Sequence, residues 1–290
     1  MRIQSRKQSA SLREGILEQE IKIEVAGLCV LLTINPARLV SRIHKDYCAF
    51  FSNKKPVLHI DITVVGKACN NKRRRRPGLA VSGDEIILID DNLYSKIDLA
   101  GGRGVAVLNP AGFMIGMDTL LRNVFTFILL LKYNGLALHA AGILRDGMAY
   151  IFAGPSGSGK STAAKLSEPY TVLNDDLVMI RPVNGSYCLF PTPAWLHAQR
   201  GQIENRPYPV RGIFKLVKDE RIYLKEITPA RAVAEFFTVP GICCQFPLIQ
   251  KLLDGFRNMA GELSFYRLHF RKDISFWDCI DRYPVKGKQK

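Results

Sequence analysis

The sequence predicts an α/β fold in which a phosphate-binding loop between strand and helix follows a β-rich N-terminal region. Three observations predict it. Residues 153–162 read AGPSGSGKST and fit G-x-x-x-x-G-K-[ST] over 154–161, between an apolar run at 148–153 and a helical stretch at 160–166. Two carboxylates, Asp175 and Asp176, end the next apolar run, residues 170–173. Before residue 134 the chain breaks into short apolar runs divided by Gly, Asn, Asp and Pro around one helical stretch, the pattern of a β-rich region.

The loop motif has a chemical reason at each position. A polyphosphate needs a concave array of backbone N–H donors, and glycine lets the chain curl closely enough to supply it. Gly154, Gly157 and Gly159 give that freedom, with Pro155, Ser156 and Ser158 completing the loop. Lys160 is placed to reach the terminal phosphates, Ser161 to put its hydroxyl on Mg²⁺, and Thr162 to bond neighbouring phosphate oxygens. The plain alternative is a glycine-rich turn; the strand before and the helix after count against it.

In chain order, residues 1–19 read as a flexible tail and 20–133 as the β-rich region. Strands are expected at 21–25, 28–34 and 58–65, with a tight turn at Ala26 and Gly27 and a helix over 37–51. Further short strands are expected at 85–89, 94–99, 104–108 and 113–117. Asp118 is placed to cap an apolar helix over 119–133 that Gly135 ends. A nucleotide-binding domain then spans 134–282. Within it, 136–144 and 148–153 form a hairpin across Arg145, Asp146 and Gly147, and Pro169 stops the loop helix. Strand 177–180 runs to an Asn184-Gly185 turn, and residues 190–210 read as a long ordered loop with Trp195, His197, Arg200 and Glu204. A hairpin of 212–217 with 221–226, helices at 228–237 and 247–259, a strand at 263–270 and a closing helix capped by Asp273 complete the chain.

Composition bounds the partners. The chain of 290 residues has 41 Lys+Arg against 26 Asp+Glu, a net charge of +15, which suits nucleic acid, an anionic membrane or an anionic ligand. Part of the excess is the run from Lys72 to Arg76, a solvated loop tip with no interleaved aromatic residue, which disfavours nucleic acid. The apolar stretch 124–131 is bracketed by Arg122 and Lys132 and reads as a buried helix, so no membrane partner is expected. Seven scattered cysteines without C-x-x-C spacing, and a basic N-terminus without a following apolar core, point to a reduced, cytoplasmic compartment.

Two acids at a strand end beside a phosphate loop divide the work of phosphoryl transfer. One carboxylate holds Mg²⁺ directly or through water, and the other accepts the proton of an attacking hydroxyl. His139, on the strand before the loop hairpin, has two readings, a satisfied core histidine or a phosphate neighbour.

The second half resembles the catalytic domain of the HPr kinase/phosphorylase family. The resemblance rests on Leu138-His139-Ala140, the GPSGSGKST loop, and Leu173-Asn174-Asp175-Asp176-Leu177 in that order. More closely it resembles HPr kinase-related proteins of peptide-maturation cassettes, including the SynChlorMet type. Thr192-Pro193-Ala194-Trp195, with one extra residue, and Phe276-Trp277 match their pattern. The resemblance implies an HPr kinase C-terminal-like (phosphoenolpyruvate carboxykinase-like) mixed sheet over 134–282. It also implies ATP- and Mg²⁺-dependent transfer of the γ-phosphate to a serine hydroxyl of a small protein or ribosomal peptide. By position, Lys160 and Ser161 would serve phosphate and metal and His139 would neighbour the phosphates. Asp175 would be the catalytic base and Asp176 the metal ligand, two roles that the residues allow to be exchanged. The segment between Ser161 and the acids is shorter than in HPr kinases, and the family's later glutamate has only Glu204 as a stand-in. A homo-oligomer is implied by the resemblance alone. The alternative function is a non-catalytic ATP-binding regulatory module of a peptide-maturation complex.

Overall fold

A computed structural model describes residues 18–65, 78–193, 203–237 and 246–283. Most of the expected tail, the run from Lys72 to Arg76, and Trp195, His197 and Arg200 lie outside the described residues. The chain is α/β with two mixed sheets.

The first sheet comes entirely from the N-terminal half. Strands β1 (Gln19–Val25) and β2 (Leu28–Asn35) form an antiparallel hairpin. Ala26 and Gly27 both take positive φ, 56° and 73°, as a two-residue turn matching strand twist requires. The helix expected over 37–51 is three pieces: a 3-10 turn, α1 (Val40–Tyr47), and a second 3-10 turn, tightened at both ends. It crosses to β3 (Leu58–Val64), which lies parallel to β2. An antiparallel meander follows: β4 (Gly78–Ser82), β5 (Glu85–Ile89), β6 (Leu93–Asp98) and β7 (Arg103–Leu108), the last returning parallel to β3. Strand β4 was not expected; only Leu79 and Val81 among its five residues are sizeable apolar side chains, and it directly follows the basic run.

The helix α2 (Phe113–Lys132) corrects two expectations at once. Residues 113–117 are its first turn rather than a strand, since a short apolar run fits either period. Gly112 is at its N-cap, so Asp118 lies inside the helix, where its carboxylate accepts a 2.5 Å hydrogen bond from the Tyr47 hydroxyl. At the other end Asn134, with φ 50°, takes the left-handed position instead of Gly135, whose N–H bonds the Leu129 carbonyl. The helix is long and apolar enough to cross a membrane, but 61% of that window is buried inside the fold. It touches β6 and β7 on one side and β8 and α5 of the second half on the other.

The second sheet holds the phosphate loop. Strands β8 (Leu136–Arg145) and β9 (Met148–Ala153) form the expected hairpin, with Asp146 and Gly147 at φ 52° and 73°. After the loop come α3 (Lys160–Leu166), β10 (Thr171–Asn174), β11 (Leu177–Val183) and β12 (Ser186–Phe190). Strands β10 and β11 pair in turn along the same strand β8; the register shifts between Val172 and Asn174, and the acid pair follows in the short link between the two strands. Next come β13 (Tyr208–Lys218), β14 (Tyr223–Ile227), α4 (Pro229–Phe236), α5 (Phe246–Glu262), β15 (Phe265–Phe270) and α6 (Phe276–Asp281). The expected hairpin of 212–217 with 221–226 does not form. Strand β15 inserts between them, parallel to β13 and antiparallel to β14. Strand β12 was also unexpected; it lies between the Asn184-Gly185 turn and the proline-rich stretch that begins at its last residue.

One apolar core cluster runs from Ile23 through α2 to Phe265, so both sheets share it. Arg181 crosses the seam as well: its guanidinium donates to the Ala26 carbonyl at 2.8 Å and lies over the rings of Tyr133 and Phe190. A second cluster sits under α3, where Phe152, Phe214, Phe276 and Trp277 pack edge to face or stacked.

Candidate functional site

The phosphate loop leaves the end of β9 and turns into α3 within six residues. Gly157 holds φ 76° and Gly159 φ 109°, both in the region an L side chain avoids. A methyl group on Gly159 would also stand 2.8 Å from the Phe270 ring, so strand β15 presses on the loop from below. The Ser158 N–H bonds the Pro155 carbonyl at 3.1 Å and closes the curl. Lys160 is only 7% exposed and its ammonium donates to the carbonyls of Gly154 and Pro155 at 2.9 and 3.1 Å. Burial lowers its pKa and the charge of Asp176 opposes that shift. The ammonium thus spans the loop. Pro155, Ser156, Gly157 and Ser161 face solvent, with Ser158 and Thr162 half-buried. The Ser158 hydroxyl is buried and has no hydrogen-bond partner among the described residues.

Helix α3 is anchored from beneath. Ser167 donates to the Ala163 carbonyl at 2.7 Å and receives the Trp277 indole N–H at 3.0 Å. The closing helix α6 therefore fixes the loop helix, through the Phe276-Trp277 pair that the sequence singled out. Asp273, expected as its cap, lies two residues ahead of the N-cap position, which Ser275 holds; its carboxylate accepts the Ser275 N–H at 2.9 Å and braces the turn before the helix.

Sheet register sets Asp176 in the row of the residue before the loop. The Ala140 N–H bonds the Asp176 carbonyl at 3.0 Å, and Ala140 faces Ala153, the residue before the loop. Asp176, Ala140 and Ala153 thus form one row, and strands in a row are about 4.8 Å apart. Asp176 Oδ1 lies 2.9 Å from His139 Nε2. One Asp175 oxygen, Oδ1, is buried with no hydrogen-bond partner among the described residues. An orphaned carboxylate oxygen is a ligand suited to a hard cation such as Mg²⁺ or to a hydroxyl donor. Groups of three or more His, Cys, Asp or Glu that could hold a metal do not occur among the described residues. A Mg²⁺ here would rest on one or two carboxylates, Ser161 and substrate phosphate, as such ions usually do.

Sequence reasoning missed the brace of the acid pair. Asn174 is 2% exposed; its side-chain oxygen accepts the N–H groups of Asp176 and Leu177 at 2.8 and 3.1 Å, and its amide donates to the Thr192 hydroxyl at 2.8 Å. Thr192 in turn donates to the Leu177 carbonyl at 2.7 Å. The available signal was an Asn two residues before a chain N–H, the Asx-turn pattern. Glu204, the stand-in for a further metal ligand, is exposed and paired with Arg206 at 2.6 Å; the contacts it makes do not bring it to the loop.

Residues 110–241 match the family model described as SynChlorMet cassette protein ScmC, a little under half of the chain. This supports a cassette context. The match begins at α2 rather than at residue 134 and ends before α5, leaving β15 and α6 outside it. The search of curated proteins finds no match to this chain.

Proposed function

We propose that the protein is an HPr kinase-like phosphotransferase that uses ATP and Mg²⁺ to phosphorylate a serine hydroxyl of a small protein or ribosomal peptide. The observation that carries this reading is the row joining Asp176 to the residue before the phosphate loop, with Lys160 folded over that loop. It sets Asp176 two strands from the glycine-rich loop in one sheet, which supports reading the acids and the loop as one site.

The loop N–H groups and Lys160 would fix the triphosphate and offset charge on the transferring group. Asp175, with its orphaned oxygen, would orient the acceptor hydroxyl and take its proton late. Asp176 and Ser161 would hold Mg²⁺, which when bound offsets charge between the phosphates. His139, at 2.9 Å from Asp176, would keep that carboxylate aimed at the ion.

The test is incubation with MgATP and peptides or small proteins encoded beside the gene, followed by mass spectrometry of the acceptor. Phosphoserine in one acceptor, absent when Asp175→Asn replaces the wild type, supports the reading. ATP bound with no acceptor modified across the panel supports the regulatory module instead.

A further inference from the structure

Three neighbouring strands, β9, β13 and β15, run parallel and end on the same side of the sheet. The phosphate loop leaves the first at Gly154, while β13 and β15 run on together as far as Lys218 and Phe270. Over those ends lies a cavity of about 570 Å³. Gly159 and Thr162 of the loop line one side of it, and Lys218, Glu220, Arg271 and Lys272 the other. Ligand sites are commonly this large, and open α/β sheets bind at the carboxyl ends of their parallel strands.

The acid pair flanks the loop on the opposite side. It lies across β8 from β9, while the cavity lies across β13. A triphosphate held in the loop therefore has two distinguishable ends: the transferable phosphate must face Asp175 and Asp176, and the other end must face the cavity.

We propose that this cavity takes the ribose and base of the donor nucleotide, leaving the acid-pair side for the acceptor. The inference rests on reading residues 154–161 as a triphosphate site. The lining suits the ligand. Phe270, under Gly159, gives an apolar floor for a base, and exposed Lys218 and Lys272 set a positive rim for the first phosphate. Glu220 offers an exposed carboxylate to ribose hydroxyls. Asp219, also in the lining, is held by His269 at 2.9 Å and the Arg221 N–H at 3.1 Å, which fixes the wall it belongs to. An acceptor peptide in this cavity would have its hydroxyl on the wrong side of the loop from the base.

The full-length protein, photolysed with 8-azido-ATP and Mg²⁺, is expected to carry adducts within 218–220 or 270–272. Tripolyphosphate should compete them away and Lys160→Ala should abolish them. Glu220→Trp, on an exposed turn, is expected to weaken ATP binding about tenfold and leave tripolyphosphate binding within about twofold. Adducts elsewhere, with ATP binding unchanged in Glu220→Trp, overturn the cavity assignment. If tripolyphosphate binding still depends on Lys160 in that case, the phosphate-loop reading survives; if it does not, both fall.

Discussion

Asn174 sets the geometry on which the acid pair depends. Its buried side chain satisfies two backbone N–H groups and one hydroxyl, so Asn174→Ala would leave Asp176 N–H and Leu177 N–H without their partner. An unsatisfied buried donor costs about 1–3 kcal/mol. We expect the variant to be destabilised by roughly 2 kcal/mol in urea, on that scale. We also expect kcat for serine phosphorylation to fall at least about tenfold with KM for ATP nearly unchanged, because the residue positions the acids and touches no phosphate. Equal loss in KM would show instead that the phosphate loop had collapsed. Asn174→Asp keeps the acceptor but sets a like charge beside two carboxylates, so its pH optimum is expected to rise.

At the scale of an element, α2 couples the two halves and carries a charge it pays to keep. Burial lifts the Asp118 carboxyl to about 6 from an ordinary 3.8; the bond from Tyr47 and nearby Arg122 oppose this, and Asp46 adds to it. The folded pKa lies above the unfolded one, so the stabilisation is full below 3.8 and is lost as pH rises through about 6. Asp118→Asn keeps an acceptor for Tyr47, and its melting temperature is expected to exceed that of the wild type above pH 6 and converge with it near pH 4. Parallel melting profiles would contradict this. Glu235 has the opposite sign: burial pushes it up, but the bonds from Arg267 and Arg231, with Lys215 nearby, outweigh that and bring it to about 2 from 4.5. The stability this contributes is present above 4.5 and lost as pH falls toward 2.

The elements also show what local pattern can and cannot convey. The loop, its flanking strand and helix and the two glycine hairpins were legible because each is fixed by residues within a few positions of one another. The start of α2 was not, since Phe113, Met114, Ile115 and Met117 around one glycine fit either period and only packing decides it. Strand β15 lies between β13 and β14 although it follows both in sequence, and nothing local announces that insertion. For the same reason nothing in the sequence joins Lys218 and Glu220, in the link of the expected 212–226 hairpin, to Arg271 and Lys272: their common position comes only from parallel pairing of β13 with β15. The acid pair was legible as chemistry, but its brace by Thr192 spans 18 residues.

For the whole molecule, the continuous core makes the two halves one folding problem. Deleting residues 1–118 would remove the first sheet and bare the side of α2 that Leu120, Leu121, Val124 and Phe125 bury completely. The fragment is expected to be insoluble or to lose the near-ultraviolet signal of Trp277, and a soluble, fully active fragment would contradict a shared core. The central claim, that loop and acid pair act together in phosphoryl transfer, is tested most directly with γ-labelled ATP. Transfer to a serine acceptor should be measured for the wild type, Lys160→Ala and Asp175→Asn, with ATP binding followed in parallel. We predict transfer by the wild type alone, with ATP binding lost in Lys160→Ala and kept in Asp175→Asn. Transfer that persists in Asp175→Asn at the wild-type rate, or ATP binding without transfer in the wild type, would contradict the account.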